Sequence, residues 1–116
     1  MDRYTQLALV SAIQAVKDSG MDLEKEDKTQ IGVVFGVGIG GIKTFEDEVK
    51  YYGVHESDGP KFNPFFIPKM ISDIAAGQIS ILYGFNGPNY ATTSACASSS
   101  NALADAFNLI RLGKAS

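Results

Sequence analysis

Two short apolar runs, each ending in a cluster of very small residues, narrow the folds open to this chain. Ile31-Gly32-Val33-Val34-Phe35 is apolar and rich in β-branched residues, the pattern of a buried strand. It runs directly into Gly36-Val37-Gly38-Ile39-Gly40-Gly41. The second run, 90–95, is rich in Thr and small residues and stops at Cys96, where Ala97-Ser98-Ser99-Ser100 begins. Helical patterns surround both. Over 5–19, Leu9, Ala12, Ile13 and Val16 recur at helical spacing on one face, and Gly20 is a stop signal. A second helix is predicted over 42–52, with Phe45 and Val49 four apart. A third is expected to start at Pro68, run through Ile74 and Ile79, and end near Gly84, with Gly77 marking close packing against another backbone. A fourth spans 97–112, with Leu103, Ala106, Phe107 and Ile110 as its core face. The segments 22–30 and 53–64 are polar loops.

Strands alternating with helices predict an α/β layered fold. Two strands are too few for a stable sheet of this class, and a third is expected where Lys114-Ala115-Ser116 stands. The chain therefore reads as a segment of a longer protein, one partial domain over 1–116. Its apolar fraction of 45 % permits a real core.

Composition excludes several classes of function. A formal charge of −3 with no basic run argues against a nucleic-acid surface. No apolar stretch is long enough to span a bilayer, and nothing after Met1-Asp2-Arg3-Tyr4 has a signal-peptide pattern. One cysteine and one histidine provide neither an internal disulfide nor a metal cluster, so a reducing, cytoplasmic setting is expected.

Gly36, Gly38 and Gly41 match the dinucleotide fingerprint in form, because they follow a strand. The context is wrong. Two helices and a long loop precede the next strand, and no acidic residue closes a second strand about 20 residues on. The glycines read instead as a tight turn that lets backbone approach another segment or a substrate, with Ile39 as its one projecting side chain of size.

Cys96 lies where a strand pattern gives way to a helical one, among small neighbours. Unpaired backbone N–H groups and the helix dipole at such a point favour a thiolate, and the same N–H groups can hold an oxyanion. A free cysteine is equally often a small buried apolar residue. The residues alone leave the two readings open. His55, in the polar loop, forms no recognisable Cys-His pair.

Gly87-Pro88-Asn89-Tyr90, followed by Ser94-Ala95-Cys96-Ala97-Ser98, resembles the nucleophile motif of the elongating β-ketoacyl-acyl-carrier-protein synthases, above all the synthase II branch. Met1-Asp2-Arg3-Tyr4-Thr5-Gln6 is similar to that family's helix start, and Gly36 through Gly41 to its glycine turn. Asn63-Pro64-Phe65-Phe66-Ile67-Pro68 and Ala75-Ala76-Gly77-Gln78-Ile79-Ser80 resemble its next two segments, in the family's order. The resemblance implies a thiolase-like layered α-β-α fold, of which this chain is part of the first half. It implies that Cys96 carries the acyl chain as a thioester, that Ile39 lines the acyl pocket, and that Phe66 reaches the pocket of a partner subunit. It implies no cofactor, since acyl groups ride on the phosphopantetheine of acyl carrier protein. The expected partners are that carrier and a second copy paired along 90–94; no nucleic acid or membrane is expected.

Two departures stand beside the match. The family's two catalytic histidines and its lysine belong to the second half, so this segment alone is expected to be inactive in condensation. Ser99 stands where synthase II often has glycine, a serine shared with modular polyketide ketosynthases. Those ketosynthases are the alternative enzyme. A non-catalytic segment that dimerises or binds carrier protein is the alternative of another class, with Arg3, Lys61, Lys69 and Arg111 as scattered candidate docking charges.

Overall fold

The computed structural model describes residues 1–59 and 61–116; position 60, within the predicted loop 53–64, lies outside the described residues. Helix α1 (Arg3–Ser19) leads into strand β1 (Val33–Gly36) and helix α2 (Ile42–Val54). A 3₁₀ turn, Glu56–Asp58, precedes helices α3 (Phe66–Met70) and α4 (Ile74–Tyr83). Strand β2 (Asn89–Thr92), a 3₁₀ turn Ala95–Ala97 and helix α5 (Ser98–Arg111) complete the order. The strands are parallel and adjacent, in register from Val33↔Asn89 to Gly36↔Thr92. Helices α4 and α5 both pack on this pair. No described helix is long and apolar enough to cross a membrane.

The first helix starts where the sequence provides an anionic cap. Asp2 Oδ1 accepts from the Tyr4 N–H at 3.1 Å, and Gly20 closes the other end with φ +68°. The other carboxylate oxygen, Oδ2, accepts from the Thr44 N–H at 2.9 Å and the Thr44 hydroxyl at 2.7 Å. Thr44 lies in the first turn of α2, whose own cap position, Gly41, has no side-chain hydrogen bond. One carboxylate thus serves the N-termini of two helices, where negative charge is favoured. Asp2 is only 6 % exposed. Burial pushes its pKa up, but the hydrogen bonds from Thr44, Tyr4 and Arg3 outweigh that and hold it below the ordinary carboxylate value. The stability that ionised Asp2 contributes is therefore complete above about pH 4 and lost as pH falls through the lowered folded value. Asp2→Ala is expected to cost about 1–3 kcal/mol. Asp2→Asn should flatten the acid limb of the unfolding curve followed by circular dichroism; an unchanged acid limb would contradict the brace.

The α1 face that meets α4 is rotated from the predicted one. Thr5 and Ala8 are buried and Leu9, Ala12 and Val16 half-buried, but Ile13 is exposed. In α4, Ala75, Ala76 and Ile79 are all buried. Small side chains on both helices let the axes approach, and this selects the alanine side of α1 over the bulkier one.

The single helix predicted from Pro68 to Gly84 is two helices. Ile71 between them is extended, with φ −60° and ψ 147°. Tertiary partners take the freed carbonyls. The Gly41 N–H donates to Met70 O at 2.8 Å, and the Tyr4 hydroxyl to Ile71 O at 2.6 Å. The break is therefore a junction where α1 and the glycine turn are tied to α3 and α4. Gly77 does not meet another backbone: an added Cβ would have nothing within 4 Å.

The predicted core face of α5 is also corrected. Leu103, Phe107 and Ile110 are more than half exposed. Ser98 and Ala102 are buried, with Asp105, Ala106 and Leu109 half-buried beside them. The helix lies so close to β1 that only small residues fit beneath it, and the large apolar ones face away. The radius of gyration is 16.7 Å, against about 13 Å for a closed domain of roughly 100 residues. Broad apolar faces on α2, α4 and α5 are left uncovered by the chain's own residues.

Candidate active site

Because β1 and β2 are parallel and in register, both leave the sheet at the same end. Crevices outside the carboxyl ends of parallel strands are where α/β folds place ligands. β1 leaves through the glycine turn 36–41, and β2 through Thr93-Ser94 into the 3₁₀ turn that holds Cys96. The two exits are fastened together. The Val37 N–H donates to Thr92 O at 3.0 Å. Gly36 lies against the start of α5: a Cβ there would come within 2.6 Å of Ser98 C, Ser99 N and Ser99 Cα.

Cys96 is the middle residue of the 3₁₀ turn Ala95–Ala97, between β2 and the 14-residue α5, and it is exposed. The turn is sharp. Ala95 sits at φ +48°, the one described non-glycine residue with positive φ. Ala97, at the cap position of α5, makes no side-chain capping bond. Among the described residues, no backbone carbonyl accepts from the Cys96 N–H. An exposed sulfur thus lies beside its own unspent N–H at the start of a helix, a setting suited to a thiolate and to an oxyanion. The buried, alanine-like reading of this cysteine does not fit its exposure.

Ile39 projects from the glycine turn and is 73 % exposed. It stands between two open clefts. One, of about 480 Å³, is lined by Tyr4, Leu7, Ser11 and Phe35. The other, of about 410 Å³, is lined by Ile42, Phe45, Met70 and Ile71. Phe66, the first residue of α3, is half-buried. Its ring stacks on Phe45 (6.3 Å between centroids) and Phe62 (5.7 Å) of the same chain. Phe45 therefore joins Phe66 to the wall of the second cleft. Cys96 lines neither cleft. His55 ends α2, stacked on Tyr51 at 4.2 Å with its Nδ1 2.9 Å from Tyr51 O. No described side chain forms a hydrogen bond or ion pair with the thiol.

The sequence reading missed the residue that shapes the turn. Ser98 is 4 % exposed. Its hydroxyl accepts from the Ser94 N–H at 2.9 Å and donates to Ala95 O at 2.7 Å. Three consecutive serines, 98–100, look alike as letters; only the helical phase of α5 turns the first inward.

A parallel α/β layer that offers a side chain at a strand-to-helix elbow is an architecture for presenting covalent nucleophiles. The family model described as "Beta-ketoacyl synthase, N-terminal domain" matches residues 1–116, and the chain belongs to that family. It is 43 % identical over 115 residues to 3-oxoacyl-[acyl-carrier-protein] synthase 2 of Staphylococcus aureus, covering 99 % of this chain and 28 % of that protein. The synthase 2 of Synechocystis sp. is 40 % identical, with 99 % and 27 % covered. The chain thus spans little more than a quarter of these curated relatives' length. A chain of a type II polyketide synthase complex, solved as acyl carrier protein with its ketosynthase bound to the hexaketide, superposes with a TM-score of 0.88. That match has 27 % identity and covers 99 % of this chain and 32 % of the other. A chain from the complex of a ketosynthase with its chain length factor, from Xenorhabdus doucetiae, shares the fold at a TM-score of 0.68 and 17 % identity. The α/β fold is the thiolase-like fold of the ketosynthases.

Proposed function

We propose that this chain is the nucleophile-bearing part of a 3-oxoacyl-acyl-carrier-protein synthase that elongates fatty acyl chains. The observation that carries the reading is the exposed Cys96 at the β2–α5 elbow with its own backbone N–H unpaired. The Cys96 thiolate attacks the thioester carbonyl of acyl carrier protein. The carbonyl electron pair moves to oxygen and is held by backbone N–H groups, including that of Cys96. As the carbonyl re-forms, the bond to the phosphopantetheine sulfur breaks, and that thiolate leaves and takes up a proton. The acyl group remains on Cys96. Malonyl-acyl carrier protein then loses carbon dioxide, and the carbanion attacks the carbonyl of the Cys96 thioester; the bond to the Cys96 sulfur breaks, the Cys96 thiolate is released, and a β-ketoacyl chain two carbons longer is left on the carrier protein. The groups that drive decarboxylation would come from the rest of a longer protein. The reaction as proposed uses no cofactor. It would run in the cytoplasm, in a homodimer paired along β2, with Phe66 reaching the partner subunit's pocket.

The test is acyl loading. The full-length protein is incubated with a long-chain acyl carrier protein, and the Cys96 peptide is weighed by mass spectrometry. An acyl adduct on Cys96, discharged by malonyl-acyl carrier protein into a β-ketoacyl product, is the expected result. No adduct on this peptide would remove the reading. The likeness to a polyketide ketosynthase at 27 % identity keeps that alternative in the test: a polyketide intermediate loaded in preference to a saturated chain would favour it.

Ile39 is assigned to the wall of the acyl pocket. It is the bulky projecting side chain of the glycine turn, and it flanks both clefts. Ile39→Phe overfills that space at about 1–3 kcal/mol, roughly a 5- to 150-fold loss for long acyl chains with short ones spared. Equal loading of long and short chains by the variant would refute the assignment.

A further inference from the structure

We propose that Ser98 is a positioning residue for the Cys96 nucleophile, holding the strand-to-helix elbow in the form that presents the thiol; the proposal rests on the reading of Cys96 as the acyl acceptor. The elbow is not a conformation the backbone adopts by default. Ala95 is held at φ +48°, where a Cβ is disfavoured. The bonds that hold it there converge on Ser98. Its hydroxyl proton goes to Ala95 O at 2.7 Å, and its lone pair receives the Ser94 N–H at 2.9 Å. Its own N–H also donates to Ala95 O. Its carbonyl accepts from the Thr92 hydroxyl at 2.9 Å, at the end of β2.

Ser98 therefore clasps the residues before Cys96 and is itself clasped by the strand. Because Ser98 is buried and its hydroxyl is used in both directions, it has no hydrogen left for substrate. Its contribution to the reaction can only pass through the geometry of Cys96. Beneath it, Gly36 leaves no room for the helix start to settle toward the sheet. Asn101 adds a further tie by donating to the Ser94 hydroxyl. Loss of the Ser98 hydroxyl would orphan the Ser94 N–H and release Ala95 toward ordinary backbone angles, turning the sulfur and the Cys96 N–H away together. Misplacing a reacting atom by about 1 Å can cost on the order of a hundredfold in rate.

The experiment uses the full-length protein with Ser98→Ala, Ser98→Thr and Thr92→Val, and follows two readouts on Cys96. One is acyl loading from acyl carrier protein by mass spectrometry; the other is alkylation by iodoacetamide. Ser98→Ala is expected to lower the loading kcat about a hundredfold with little change in KM for the carrier, and to change the alkylation rate. Ser98→Thr keeps the hydroxyl and should load within a few-fold of the parent. A Ser98→Ala protein that melts like the parent and loads at the parent rate overturns the proposal, as does Ser98→Thr failing as badly as Ser98→Ala. Should Ser98→Ala not fold, Thr92→Val, which removes the tie to the Ser98 carbonyl, is expected to load about tenfold slower; parent-rate loading by that variant overturns the proposal equally. Failure of the parent to load at all, with alkylation still dependent on Ser98, would instead overturn the acyl-acceptor reading and leave Ser98's role standing.

Discussion

Cys96→Ala in the full-length protein is expected to abolish acyl loading and chain elongation while leaving the fold intact. The two halves of this expectation have separate causes. Cys96 is exposed and takes part in no hydrogen bond that shapes the elbow; Ser94, Ala95 and Ser98 make those bonds. Removing one exposed sulfur should therefore change stability by no more than about 0.5 kcal/mol. The chemistry has no such reserve. Within these 116 residues Cys96 is the single thiol. Loss of a covalent nucleophile can cost on the order of 10⁶-fold. The checks are the mass of the Cys96 peptide after incubation with acyl carrier protein, the yield of β-ketoacyl product, and the melting curve. A well-folded Cys96→Ala protein that still elongates acyl chains would sink the mechanism. The other arm is the 116-residue chain alone. Its single histidine, His55, is bound to Tyr51 O and stacked on Tyr51, so it is not expected to yield condensation product.

The site was legible in the sequence to the extent that chemistry and pattern coincide. At Cys96 a run rich in Thr and small residues yields to helical spacing, and the structure puts the cysteine in the turn between strand and helix. The pairing of β1 with β2 was less visible, because nothing in 31–35 or 90–95 specifies parallel neighbours. The α3–α4 break could not be read locally. Ile71 and Ser72 carry no glycine or proline; the helix parts because Tyr4 and Gly41 claim its carbonyls from far along the chain. The α5 misreading has another origin. Periodicity finds an apolar stripe, Leu103-Phe107-Ile110, but not which neighbour it meets. In this chain the sheet meets the small face, Ser98 and Ala102, since β1 comes too near for anything larger. Ser98 itself was hidden among three serines whose roles only burial separates.

Gly36 is where these two kinds of information meet, and its substitution is the second large effect expected. As a letter it is the first glycine of a motif that suggested a nucleotide. In the fold it is the last residue of β1, paired with Thr92, with the backbone of Ser98 and Ser99 directly over its α-carbon. A Cβ would stand 2.6 Å from three backbone atoms, so no side chain can swing aside to relieve it. The start of α5 must move, or β1 must. Overpacking of this kind costs about 1–3 kcal/mol for a methyl group and more for a larger one. Ser98 is displaced with the helix start, so Gly36→Ala should also slow acyl loading by on the order of a hundredfold. Gly36→Val should fold poorly or not at all. Gly53→Ala is the matched control. Gly53 lies within α2 with nothing inside 4 Å of its added Cβ, so alanine there should stabilise the helix by roughly 0.5–1 kcal/mol and leave loading unchanged. Thermal unfolding and loading rates on the two variants separate the cases. A Gly36→Ala protein as stable and as fast as the parent would mean that the helix start is free to give way, and that the elbow is not held between Gly36 below and Ser98 above.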